Sequence, residues 1–333
     1  MKKFKKILII GGGGYIGTIL TNKLLELGYH VTVYDLFIYG NFLKNLKTKY
    51  PRLDIITNDI RNLEALDNSI KNKEVVYNFA CISNDPSAEL NLKLTRSINY
   101  DTIKPIMESC KKHKIERHIY ASSSSIYGIS NSPNVDEDHP KVPVSEYNKS
   151  KNYCENIIKD YENDFCSTVI RPATVCGFSP RLRLDLTVNI LTNFAFHKNF
   201  IRVFGGNQYR PNIHIDDLTD LYVQLLDYDE KIISRKTYNA GYQNQKIIDI
   251  AEIVRSDIKN IIDIDPKIEI EKTDDIRSYR ISTKKIETEL GFYPKKNISN
   301  AVTDLIDFFK INKKDTMKDS EFFNLKKIQE VNL

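Results

Sequence analysis

The sequence predicts an α/β fold, a doubly wound parallel sheet with a smaller, discontinuous second lobe. Three observations carry that expectation. Short apolar runs alternate with helical patterns through the first half of the chain, and the first run ends in clustered glycines that open a helix; beyond Ser179 the rhythm loosens, with no linker rich in Gly, Pro or Ser. The 333 residues, 41% of them apolar, suffice for a large buried core.

Each element follows from its local pattern. "KILIIG" reads as the first strand: lysines precede it as in a signal peptide, but the apolar run is too short for one. A helix is expected from about Thr18 to Leu27. "HVTVYD", "LDIITND" and "EVVYNFA" read as the next strands, "RHIYASSS" as a strand preceded by a helix, and "FCSTVIRPATV" as another. Further on come a helix near residues 185 to 197, the strand "FIRVFGG", a helix from Ile215, the strand "KTYNAGY" and a helix near residues 246 to 260. Residues 1–178, joined by about 212–242, are expected to form the sheet domain, and 179–211 with 243–312 the second lobe. The segment 313–333 is strongly charged and is assigned no fold.

Composition removes several function classes. No stretch approaches the roughly 18 to 20 apolar residues of a membrane span, so a cytoplasmic protein with no membrane partner is expected. Five cysteines form no C-x-x-C pair, which argues against a metal site or a disulfide framework. The net charge of +5 arises from 49 basic and 44 acidic residues mixed along the chain. Nucleic-acid binders concentrate their basic residues on one face, so no nucleic-acid partner is expected. Phosphorylated small molecules suit this charge better.

"IIGGGGYIG" ends the first strand and opens the first helix, with Gly11, Gly14 and Gly17 at three-residue intervals. Glycine permits the tight turn, the approach of backbone to a pyrophosphate and close helix–strand packing; the free N–H groups at the helix start then face phosphate. Asp35 closes the next strand eighteen residues after Gly17, where a carboxylate accepts hydrogen bonds from an adenosine ribose diol. "LFIYG" just beyond it offers no Arg or Lys for a 2′-phosphate. NAD is therefore the expected cofactor, in preference to NADP.

Tyr-x-x-x-Lys occurs three times, at Tyr100/Lys104, Tyr147/Lys151 and Tyr242/Lys246. Four-residue spacing on a helix puts the ammonium on the face of the phenol, where it favours the phenolate needed for a general base. A hydroxyl from elsewhere must orient the reacting alcohol. Only Tyr147 has a serine run, Ser122 to Ser125, upstream at the end of an expected strand, where an open sheet binds its ligands.

These motifs together, with "NDI" at 58 to 60, "NFA" at 78 to 80, "RPATVCG", "RPNIHIDD" and "DDIRSYRIS", resemble the extended short-chain dehydrogenase/reductase family of nucleotide-sugar epimerases, dehydratases and dehydrogenases over roughly residues 5 to 310. The resemblance implies a Rossmann-type NAD domain. It also implies Ser123 as the catalytic hydroxyl, Tyr147 as the base and Lys151 as its partner. Tyr15 and Ile16 would line the pyrophosphate, Asp59 and Ile60 the adenine, and Ala80, Asn99 and Pro172 the cofactor cleft. Arg210 and Arg277 would hold the substrate diphosphate and ribose, with Asn189 contributing and Arg181 and Arg183 available nearby. Thr174 stands where the family commonly has Asn, which alters the polar contact expected there.

The chemistry so implied is oxidation of a nucleotide-diphosphate sugar at carbon-4, leading to an epimer or a released keto sugar. The sequence leaves both outcomes open. Family members that eliminate water typically carry Asp and Glu after the catalytic hydroxyl; here Ser124 and Ser125 follow, so a 4,6-dehydratase is the less expected alternative. "RPATVCGFSPRLRLDLTVNIL" resembles a subgroup acting on bacterial polysaccharide precursors, including GDP-heptose 4-dehydrogenases, which leans the substrate toward a GDP-linked sugar. His197, His214 and Cys176 are expected in core or hydrogen-bonding roles. A homodimer is a family expectation. A non-catalytic NAD-binding regulator is the alternative from another class, set against the retention of Ser123, Tyr147 and Lys151.

Overall fold

The computed structural model describes residues 3–274, 277–312 and 316–331. Asp275 and Ile276 of the "DDIRSYRIS" motif, and residues 313–315 and 332–333 of the charged segment, lie outside the described residues.

Seven parallel strands form the main sheet: β1 (Lys6–Ile10), β2 (His30–Asp35), β3 (Leu53–Thr57), β4 (Val75–Asn78), β5 (Arg117–Ala121), β6 (Cys166–Pro172) and β10 (Lys236–Ala240). A short β7 (Thr174–Cys176) leaves the sheet after Ala173, followed by β8 (Phe200–Phe204), β9 (Tyr209–His214), β10 (Lys236–Ala240), β11 (Gln243–Lys246) and β12 (Lys267–Glu271). The main sheet runs β10-β6-β5-β4-β1-β2-β3, while β11-β9-β7 and β12-β8 form two small sheets. Every pairing in the main sheet is parallel.

Helices cover both faces of the sheet, and the strand sequences show why. Successive side chains of a strand point to opposite faces, so a strand buried on both sides reads as an unbroken apolar run. Ile7, Ile9, Val31, Val33, Val75 and Tyr77 enter one core. Their neighbours Leu8, Ile10, Tyr34 and Val76 enter a second core on the opposite face. A third core, including Val188, Leu191, Ile201, Val254 and Val302, belongs to the second lobe.

The chain reverses direction across the sheet between β1 and β4, because β2 and β3 extend to one side of β1 and the later strands to the other. Such a switch point leaves a crevice beyond the carboxyl ends of the strands. Asp35 closes β2, the glycine turn, Ala80 and Ser123 lie just beyond the ends of β1, β4 and β5, and all of them border that crevice.

The charged segment is more ordered than its composition suggests. Residues 320–322 form a turn of 3₁₀ helix and Asn324–Glu330 an α-helix, with Phe323, Asn324 and Ile328 buried. The apolar positions among the charges, spaced about a helical turn apart, place one face of this segment against the crevice.

Candidate active site

The glycine turn is built by close approach. Gly11 has φ +82°, and a Cβ there would stand 2.5 Å from the Ala80 nitrogen. A Cβ on Gly17 would meet the Gly12 Cα at 2.6 Å, so the first helix lies directly on the turn. Gly14 caps the helix Tyr15–Glu26, which carries no acidic residue in its first turn and so leaves its positive end unneutralised. Asp35 accepts hydrogen bonds from the Gly13 nitrogen at 2.9 Å and the Phe37 nitrogen at 2.7 Å. Burial raises its carboxyl pKa, and these two N–H groups oppose that rise.

One cavity of about 650 Å³, within the size range of ligand sites, gathers most of the residues singled out from sequence. Gly11, Gly14, Tyr15, Ile16, Gly17, Asp35, Asp59, Ile60, Ala80 and Pro172 line it. Ser123, Tyr147, Lys151, Thr174, Arg210 and Arg277 line it as well. The glycine turn opening the helix Tyr15–Glu26 and the Asp at the end of β2, both lining this cavity, fit a dinucleotide.

Tyr147 and Lys151 stand on the helix Glu146–Lys159, whose start is fixed by Ser145, accepting from the Asn148 nitrogen at 3.2 Å. Lys151 is 3% exposed; its Nζ donates to the Ala121 carbonyl at 2.6 Å and lies 5.8 Å from the Tyr147 ring centre. Ser123 Oγ lies 2.7 Å from Ser125 Oγ, which donates to Asn148 Oδ1. The three groups thus meet in one cleft.

The phenol does not have the lowered pKa expected from its lysine neighbour alone. Burial pushes Tyr147 up to about 12, against the opposing pull of Lys151 and of the hydrogen bond from Ser123. Burial likewise works against the charge of Lys151, yet Cys81, Tyr147 and Cys154 together hold its pKa above the ordinary lysine value. The ammonium is therefore secure, and the phenol holds its proton at neutral pH.

Two sequence expectations are corrected by packing. Asn99 does not border the main cleft. Its Oδ1 accepts from the Ile82 nitrogen at 2.8 Å and its Nδ2 donates to the Ile82 carbonyl at 3.1 Å, so it fixes the loop after β4 from behind. Asn189 is fully buried, accepting from the Gly177 nitrogen at 3.0 Å and donating to the Arg183 carbonyl at 2.8 Å and the Tyr15 hydroxyl at 3.2 Å. It shapes the loop between β7 and the next helix without reaching the cavity. His214, held between the Asp216 nitrogen at 3.1 Å and Asp304 Oδ2 at 3.1 Å, is fully inside the fold, as is Cys176. His197 pairs with Thr316 Oγ at 3.1 Å.

Tyr279, Asp85 and Asp185 also line the cavity and were not singled out from sequence. Tyr279 is buried, with its hydroxyl 3.4 Å from Ser124 Oγ. Asp85 pairs with Arg277 and accepts from the Ser145 hydroxyl. Arg183 binds Asp185 through Nε at 2.9 Å and Nη2 at 3.0 Å, and Asn84 donates to the same carboxylate at 2.7 Å. The "DP" following Asn84 and the "RLRLD" run were the available hints; their meeting depends on tertiary structure.

Sheet order, glycine turn and the Tyr–Lys pair define a dinucleotide-binding protein of the extended short-chain dehydrogenase/reductase type. A model of the NAD dependent epimerase/dehydratase family matches residues 7–241, and the chain belongs to that family. It is 28% identical over 315 residues to a putative UDP-glucose 4-epimerase of Methanocaldococcus jannaschii, covering 92% of this chain and 99% of that one. It is 27% identical over 266 residues to putative UDP-arabinose 4-epimerase 4 of Arabidopsis thaliana, covering 71% of this chain. The match spans between 60% and 63% of the length of such plant relatives. Among solved structures, UDP-glucuronic acid 4-epimerase from Bacillus cereus, in complex with UDP-glucuronic acid and NAD, superposes with a TM-score of 0.82 at 26% identity, covering 92% of this chain and 99% of that one.

Proposed function

We propose that this chain is an NAD-dependent nucleotide-sugar 4-epimerase, acting on a sugar joined to a nucleoside diphosphate. The observation that carries the reading is the meeting of Ser123, Tyr147 and Lys151 in the same cavity as the glycine turn and Asp35. Bound NAD supplies a reversible hydride acceptor and, when oxidised, a positive charge. That charge is what the buried phenol lacks, since an opposite charge nearby favours the ionised form.

With the Tyr147 phenol ionised, its own proton given up to solvent, Ser123 would orient the carbon-4 hydroxyl and the phenolate oxygen would take its proton, bound NAD supplying the hydride acceptor. Lys151 would stabilise the phenolate before it takes that proton and again once the proton has gone back to the sugar. Inversion requires the ketone to present its other face before the hydride comes back, so the sugar must turn while the nucleotide stays held. Arg210 and Arg277 are the residues we assign to the nucleotide diphosphate, for which arginine provides a fork of donors. Thr174 borders the sugar.

Ser124 and Ser125, both neutral, stand where an eliminating enzyme would need an acid and a base, which supports return of the hydride over loss of water. The relatives named above favour a UDP-linked sugar over the GDP-linked one that the sequence alone suggested. The deciding experiment is incubation of the protein with NAD and a panel of UDP-, GDP-, CDP- and dTDP-sugars. Epimerisation gives a product of unchanged mass, inverted at carbon-4, without NADH accumulation. Loss of two mass units with stoichiometric NADH would instead establish a 4-dehydrogenase, and loss of water a dehydratase.

A further inference from the structure

Asp85 borders the cavity with its side chain 23% exposed, and both of its oxygens are engaged at the catalytic end. One accepts from the hydroxyl of Ser145, which caps the helix carrying Tyr147; the other pairs with Arg277 Nη1. The charge of Asp85 reaches both Tyr147 and Tyr279, and Tyr279 also feels Arg210 and Arg277. The Tyr279 hydroxyl in turn stands 3.4 Å from Ser124 Oγ, next in the chain to the catalytic hydroxyl. A carboxylate is thus fixed where the reacting groups meet the arginines assigned to the diphosphate, which is where the sugar must lie.

The backbone is strained to hold it there. Asn84, just before it, has φ +133°, a conformation that residues other than glycine rarely adopt, and strain of this kind collects at functional sites. Asn84 Oδ1 accepts from the Ser87 nitrogen at 3.0 Å and its Nδ2 donates to Asp185 Oδ2 at 2.7 Å. Asn324 holds the preceding residue, donating to the Ser83 carbonyl at 2.8 Å and to Ser83 Oγ at 3.1 Å. The cations that line the cavity are already engaged. Lys151 donates to the Ala121 carbonyl, Arg183 is bound to Asp185, Arg181 donates to Asn324, and Lys326 lies over the Phe323 ring. Arg210 and Arg277 are the two assigned to the diphosphate. A sugar bearing its own carboxylate would therefore meet Asp85 with none of these cations to offset the repulsion.

We propose that Asp85 is a specificity-determining residue, which restricts the substrate to nucleotide sugars without a carboxylate and excludes the uronic acids. The proposal rests on the nucleotide-sugar reading above and narrows its substrate class. A neutral sugar can donate a hydroxyl to Asp85, whereas a uronic acid brings a like charge to it, and an opposed like charge discriminates strongly between otherwise similar ligands. The fold superposes on that of a UDP-glucuronic acid 4-epimerase. Architecture does not fix the substrate, however, and the charge at Asp85 points this chain elsewhere.

The test is calorimetric titration of the full chain, loaded with NAD, with UDP-glucose, UDP-glucuronic acid and UDP-glucuronamide, beside the matching GDP-mannose set. The uronamide has the shape of the acid without its charge. On whichever nucleotide binds, the neutral sugar and the uronamide are expected within about threefold of each other, and the acid about thirtyfold weaker than either. Asp85→Asn should shrink the gap between acid and uronamide by about fivefold or more, and Asp85→Glu, which keeps the charge, should preserve it. Thermal melting establishes that each variant is folded; if Asp85→Asn melts too early to titrate, the ratio of acid to uronamide in the parent decides. Equal affinities of acid and uronamide in the parent, or a gap that folded Asp85→Asn leaves unchanged, would overturn the proposal. A uronamide as weak as the acid would show exclusion by shape and overturn it as well. Binding of none of the six ligands would overturn the nucleotide-sugar reading itself, and this proposal with it.

Discussion

At the scale of single residues, the centre of the site is a phenol kept protonated by burial and poised beside a fixed ammonium. Replacing Tyr147 with Phe removes the proton acceptor and little else, because the ring packs the same way. We expect turnover to fall about a thousandfold, the middle of the range for general-base catalysis, with NAD affinity changed less than threefold, as read by product assay and nucleotide titration. An unchanged rate would refute the assignment of the base. That Ser123, Tyr147 and Lys151 share one cavity was legible in the sequence because a helical spacing and a strand-end serine run each carry a physical requirement. Asn99 and Asn189 were misplaced for the opposite reason: a buried amide looks the same in sequence whether it faces a ligand or a backbone, and here Ile82 and Gly177 take those hydrogen bonds. Arg181 was legible as a candidate but its surroundings were not, since Tyr39 and Asn324 that hold it are far away along the chain.

Among the elements, the glycine turn and the helix carrying Tyr147 are held by different means. The turn depends on absent side chains. Gly17→Ala places a methyl 2.6 Å from the Gly12 Cα and 2.7 Å from its carbonyl oxygen, and should destabilise the fold by about 1–3 kcal/mol, the usual cost of overpacking. Chemical unfolding measures that cost, and nucleotide titration should show weaker NAD binding because the turn must shift. The helix depends on charge instead: Glu155, 2% exposed, accepts from Ser122 Oγ at 2.6 Å and from Arg171 Nε at 2.9 Å and Nη2 at 2.8 Å. That network ties the helix to β5 and β6, and so fixes Tyr147 relative to Ser123. Most strands were legible from their apolar runs, but "FCSTVIRPATV", read as one strand, divides at Ala173 into β6 and β7. The first helix starts at Tyr15, earlier than Thr18, because Gly14 caps it without the polar side chain that usually marks a helix start.

For the whole molecule, burial of titratable groups makes stability depend on pH. His118 is fully buried, and burial pushes its pKa down to about 3, well below the roughly 6.5 of an exposed imidazole. Its folded-state pKa is depressed, so the unfolded chain binds the proton more readily. The stability tied to its neutral form is complete above about pH 6.5 and drains as pH falls from there toward 3. Glu155, held below the ordinary carboxylate range despite its burial by Arg171, Ser122 and Lys141, adds a loss at lower pH still. We expect the urea midpoint to decline from about pH 6.5 downward, and His118→Gln to flatten the part of that slope above pH 5. A midpoint independent of pH between 5 and 7 in the parent would contradict this. The α/β architecture was legible throughout, since alternation of strand and helix is a local signal; the helix Asn324–Glu330 was not, because charge density masked its two buried positions, Asn324 and Ile328.

Asn324 reaches Ser83 across a separation of 241 positions. Closures that distant form late, after nearby segments have paired. During refolding, helical ellipticity should therefore recover ahead of nucleotide capture, which makes the dinucleotide a reporter of finished topology and a poor template for early collapse.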